Sequence, residues 1–155
     1  MKQILLTISL LILTLLPASA VKKFEPNPIN VAAVIVQKTD SAKIASTCEY
    51  YGFTYQGVED GYTIMKRKNG TEIKFTFTYN GTLQKYPTVV VKVKEKHKDL
   101  DSLLKELSFE KVGNKYEYKR NIFSKFKTQC SFGHSNTLTF CKLRTDERYI
   151  SSKQK

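Results

Sequence analysis

The chain has 155 residues, 26 Lys and Arg against 14 Asp and Glu for a formal net charge of +12, three cysteines and two histidines. That length can bury one core without metal or a dense disulfide framework, and two distant histidines with no paired cysteine motif offer no ligand spacing for a metal. The sequence contains no glycine-rich phosphate loop, nucleophile elbow or H-E-x-x-H pattern, so neither an enzyme activity nor a cofactor is expected.

In chain order, residues 1–20 open with Lys2, continue through an apolar run over 4–16, and end in Pro17 and the small-residue site Ala18-Ser19-Ala20. This is the layout of a secretory signal peptide. The run is short of the roughly 20 residues a helix needs to cross a bilayer, so no stable membrane span is expected and the protein is placed in the periplasm or outside the cell. Removing the leader takes away one lysine and no acid, which leaves the mature chain strongly basic.

Residues 21–30, with Pro26 and Pro28, suggest an extended lead-in, and the apolar run at 31–37 suggests a strand buried on both faces. Thr39-Asp40-Ser41 then offers helix N-cap residues. Ile44, Ala45, Cys48 and Tyr51 recur at helical spacing until Gly52 ends the helix, which makes Cys48 a core thiol. Strands are expected at 53–56 and 62–68, with a turn over 57–61 between them. Asn69-Gly70 is the dipeptide of a type I′ hairpin, and Ile73, Phe75, Phe77 and Tyr79 alternate with Lys74, Thr76 and Thr78 in the next strand.

After a loop over 80–87, residues 88–94 set Val89, Val91 and Val93 on one face against Lys92 and Lys94 on the other. Behind the cap candidate Asp99, Leu100, Leu103, Leu104 and Leu107 make an amphipathic helix. Strands resume at Tyr116 and Tyr118, at 126–132 and at 137–143, before a polar tail at 145–155. With an offset of 56, Ile44 falls on Leu100, Cys48 on Leu104, Phe53 on Phe109 and Gly57 on Gly113. The expected mature domain (31–144) is therefore α+β, an antiparallel sheet with two helices on one face, built as a tandem repeat of helix-plus-strands units over 40–94 and 96–144.

Few residues carry chemistry. If residues 134–137 form a two-residue turn, Cys130 lies opposite Cys141 and a disulfide joins them. His97, inside a run of charges, and His134, in that turn, are the pair a secreted nuclease-like hydrolase would use as acid and base; surface placement of both is the stronger expectation. Asn69-Gly70-Thr71 and Asn80-Gly81-Thr82 match the N-glycosylation pattern, and both are read first as turn asparagines. Tyr50, Tyr55, Tyr86 and Tyr149 fall outside the apolar stripes, as interface tyrosines do.

The positive charge favours a protein or an anionic envelope component as partner. Lysine far outnumbers arginine, which argues against a surface made for nucleic acid. The expected function is that of an exported, non-catalytic binding module using the Lys-rich sheet face, with Lys74, Lys92 and Lys94 as contacts. An inhibitor or a toxin-immunity protein is one form such a module takes; a structural envelope protein is the other non-catalytic alternative.

Overall fold

The computed structural model describes residues 26–93, 97–118, 125–134 and 136–144; the leader, most of the lead-in, Lys94 and the tail lie outside them. In chain order the elements are α1 (Pro28–Ile35), α2 (Ser41–Tyr50), β1 (Thr54–Glu59), β2 (Tyr62–Lys66), β3 (Glu72–Tyr79), β4 (Thr82–Lys92), α3 (His97–Glu106), β5 (Glu110–Val112), β6 (Lys115–Tyr118), β7 (Phe126–Gly133) and β8 (Thr137–Arg144). All eight strands join one antiparallel sheet in the order β1-β2-β3-β4-β8-β7-β6-β5. Two four-stranded meanders, each preceded by a helix, thus meet at their last strands. The expected α+β class holds, with three helices among the described residues where two were expected.

Strand alternation separates the two faces of the sheet. One cross-strand row of side chains on the inner face runs Phe75, Val89, Phe140, Cys130, Tyr116, and the next runs Met65, Ile73, Val91, Leu138, Phe132. Over these rows pack Ile29, Ala32 and Ile35 of α1, Ile44 and Cys48 of α2, and Leu100 and Leu104 of α3, all in a single buried cluster. Tyr116 donates its hydroxyl hydrogen bond to the Asp101 carboxylate, which ties α3 to β6.

The third helix, α1, replaces the strand expected at 31–37 and takes up the end of the lead-in. A six-residue apolar run fits a buried helix or a buried strand equally well, so the flanks decide. Here Pro28 occupies the first turn, where its missing N–H costs nothing, and the Asn27 side chain accepts from Ile29 N at 2.9 Å. The β-branched valines are tolerated because burial outweighs their small helix penalty.

Helices α2 and α3 end in the same way, 56 residues apart. Gly52 N donates to Glu49 O and Phe53 N to Cys48 O, both at 2.9 Å; Ser108 N donates to Lys105 O and Phe109 N to Leu104 O, again at 2.9 Å. These paired bonds define a Schellman cap, which needs a left-handed residue, and Gly52 (φ +85°) and Ser108 (φ +63°) supply it. Each cap drives an aromatic ring, Phe53 or Phe109, into the core. Arg67, almost fully buried, reinforces the first: its Nε donates to Tyr51 O at 3.1 Å and its guanidinium lies 4.2 Å from the centre of the Phe53 ring.

The hairpins correct two expectations. Between β2 and β3 the loop has three residues, with Arg67 N donating to Thr71 O, Gly70 N to Arg67 O, and a positive φ at Gly70 but not at Asn69. That is a type I turn with a glycine bulge, so Asn69-Gly70 makes a hairpin but not the type I′ turn. The type I′ turn belongs to Asn80 (φ +48°) and Gly81 (φ +76°), which pair Tyr79 with Thr82 and turn the expected loop at 80–87 into the first half of β4. Pro87, which has no N–H to give, sits where β3 and β4 shift register and before β8 begins to pair.

The β7–β8 turn has three residues rather than two, since Gly133 pairs with Thr137. One extra residue flips every side chain beyond it to the other face. Cys130 therefore pairs with Phe140 and points into the core, while Cys141 pairs with Gln129 and points outward. The expected Cys130–Cys141 disulfide is absent, and all three cysteines are free thiols.

Two outcomes are expected. Replacing Gly52 with Ser should cost about 1 kcal/mol of unfolding free energy, whereas Ser108→Gly should be neutral or stabilising by up to ~1 kcal/mol, as read by urea denaturation. Burial, with Glu49 adding to it, pushes the Cys48 thiol from 9.0 to about 12. Burial and then Cys141 take Cys130 to about 12, and burial with the Asp101 hydrogen bond takes the Tyr116 phenol from 10.0 to about 12. The unfolded chain loses these protons first, so stability should stay level up to about pH 9 and fall between pH 9 and 12. A Cys48→Ala, Cys130→Ala variant should show a shallower fall from pH 9.

Candidate binding face

The helices leave the other side of the sheet open, and its cross-strand rows are polar. One row runs Lys66, Glu72, Lys92, Thr137; the next runs Ile64, Lys74, Val90, Thr139, Ser131, Lys115. Lys74 and Lys92 thus lie on the face expected of them, Lys92 on the central strand β4 and Lys74 on its neighbour β3. Both border a shallow depression of about 400 Å³ completed by Glu59, Asp60, Tyr62 and Thr137. Lys94 lies outside the described residues.

The electrostatics of this face differ from the lysine coat the sequence suggested. Lys74 Nζ stands 3.6 Å from a carboxylate oxygen of Glu59 and 3.6 Å from one of Glu72, and Lys66 Nζ stands 3.3 Å from Glu72. Glu72 shares a strand face with Lys74 two residues on, a neighbour the alternation of β3 already implies. Glu59 arrives through the β1–β2 turn, where Asp60 and Gly61 both have positive φ and pair Glu59 with Tyr62. The depression therefore presents both signs of charge.

Towards the second meander the polar mesh is tighter. Lys127 Nζ and Glu117 Oε1 are 2.6 Å apart with side chains only 8% and 15% exposed, which removes most of the solvent screening that weakens surface pairs. Gln129 joins them, donating to Glu117 at 3.2 Å and accepting from Lys115 Nζ at 3.1 Å. Cys141 lies in the same region. Burial raises its pKa, against the pull of Lys115 and Lys127, so it is a packed thiol and not an activated nucleophile.

The remaining candidates are scattered. His134 is exposed in the β7–β8 turn, where its carbonyl accepts from Thr137 Oγ1 at 2.8 Å; His97 begins α3, and its side chain lies outside the described part. Among the described residues no three His, Cys, Asp or Glu side chains gather as metal ligands would. Tyr50 and Tyr55 are exposed, whereas Tyr86 packs edge-on against Phe126 at 5.3 Å with the Lys142 ammonium 4.0 Å from its ring centre; Tyr149 lies outside the described residues.

Sequence reasoning missed the tip of the β3–β4 hairpin, since the loop expected at 80–87 hides it. Tyr79 and Leu83 stand there in solvent, and Leu83, 81% exposed, is the most exposed large apolar side chain among those described.

The sheet edges, in contrast, are blunted. β5 has three residues, and β1 carries a bulge between Tyr55 and Gly57 at which the Gln56 carboxamide folds back onto Tyr55 O at 3.1 Å and Thr54 Oγ1 at 3.1 Å.

Comparison with protein-family models, with curated proteins and with solved structures returns no match. Among the described residues no helix is long and apolar enough to cross a membrane.

Proposed function

We propose that the chain is an exported, non-catalytic binding module that holds a folded protein partner against its helix-free sheet face. The observation that carries this reading is the charge mesh of that face, where Lys66, Lys74, Glu59 and Glu72 are interleaved across neighbouring strands around an open depression. A surface for a uniform polyanion would gather cations and keep carboxylates away. A fixed pattern of both signs suits a partner whose own charges alternate in register with it, because like-charge contacts then exclude wrong partners.

Rigidity supports the same reading. The charged side chains stand on hydrogen-bonded strands, so less conformational freedom is lost on binding than from a loop. An inhibitor or toxin-immunity role is the form of module this geometry serves best, since a firm polar face can cover a cleft by shape and charge. The leader over residues 1–20 supports export.

The test is capture from envelope and secreted fractions of the producing cell at low salt, with the full mature chain as bait. Wild type should retain a protein that elutes as salt rises, and Lys74→Ala with Lys92→Ala should weaken its retention at least about tenfold. The double variant should lose no more than ~1 kcal/mol of stability, as exposed ion pairs contribute little. Failure of the wild type to retain any protein, or equal retention by the double variant, overturns the reading.

A further inference from the structure

Helix α1 carries apolar residues beyond those it buries in the core. Its residues Ile29, Ala32, Ile35 and Val36 are buried in the core, but a second stripe at i, i+3, i+4, i+7 consists of Asn30, Ala33, Val34 and Gln37. That stripe faces an open groove of about 700 Å³ on the helix side of the molecule. Val34, 43% exposed, contributes to its wall.

The opposite wall is made by the C-terminal end of α3 and the strands beyond it. Leu107 closes that helix, the Schellman cap turns the chain into Phe109, and Tyr118 of β6 lies beside it with ring centroids 5.7 Å apart. Gln37, in the lining, donates from Nε2 to Thr128 Oγ1 at 2.6 Å and so ties the end of the α1 segment to β7. Two cations, Lys38 and Lys142, border the groove, and Lys142 is the cross-strand neighbour of Thr128. None of the described lining residues is acidic, in contrast to the depression on the other face, which three carboxylates border.

A largely apolar trough whose charged groups, among the described lining residues, are cations alone suits an apolar molecule that carries an acid. We propose that this groove binds a single-chain amphiphile bearing one acidic group, a fatty-acid-like molecule, with its chain along Val34, Leu107 and Phe109 and its acid between Lys38 and Lys142. The volume falls within the roughly 300–1,000 Å³ usual for small-molecule sites. Apolar contact along the trough supplies most of the affinity, and the charge-assisted bonds to the two ammonium groups fix the direction in which the chain lies. This site is on the opposite side of the sheet from the protein-binding face and does not depend on it.

The probe is dodecanoate, titrated below its micelle concentration into the full mature chain and followed by backbone amide chemical shifts. Saturable shifts centred on Val34, Leu107 and Phe109 are expected. Dodecanol, the uncharged counterpart, should bind at least about tenfold more weakly, and Lys38→Glu with Lys142→Glu should weaken dodecanoate by a similar factor, which corresponds to the loss of one or two charge-assisted hydrogen bonds.

Ala33→Trp should fill the trough and abolish binding. Val34→Glu, at a more exposed position, does the same by charge and serves if the tryptophan variant does not fold. No saturable shift, shifts centred elsewhere, equal affinity for dodecanol, or undiminished binding by the folded Val34→Glu protein would each refute the site.

Discussion

The antiparallel pairing of β4 with β8 is the constraint on which the rest of the molecule rests. Val89 meets Phe140 and Val91 meets Leu138 across this one junction, and through it two meanders become a single eight-stranded sheet. A four-stranded sheet with one short helix would leave much of its apolar side wet. Joined at the centre, the two halves share one buried cluster beneath three helices. The register of that junction also decides which polar side chains lie side by side on the outer face, so the candidate face is a by-product of core packing.

Where the signal was periodic, the sequence was legible. The i, i+3, i+4, i+7 leucines of α3 and the alternation of β3 lead directly to elements that exist, and the offset of 56 between Ile44 and Leu100 marks helices with matching ends. The helix at 28–35 was not legible from periodicity because residues 31–36 are apolar without interruption, which leaves no polar side to mark a period. Turn geometry was the other gap. Asn-Gly occurs twice, and one copy makes a type I turn with a bulge while the other makes type I′; the dipeptide alone does not say how many residues the loop holds.

The site was half legible for a related reason. Lys74 and Lys92 could be placed on a face by counting in twos, and Glu72 could have been placed beside them by the same count. Glu59, in contrast, reaches Lys74 only through the tight turn that pairs it with Tyr62 and the β2–β3 register, and Glu117 reaches Lys127 only through the β6–β7 register. Pairings between neighbouring strands set the electrostatics, and the alternation within a single strand does not encode them.

The three-residue turn between β7 and β8 sets Cys130 and Cys141 back to back, on opposite sides of one layer of backbone. With these two thiols kept apart, the hairpin is held together by its backbone ladder and by the core side chains beneath it, and not by a bond between Cys130 and Cys141.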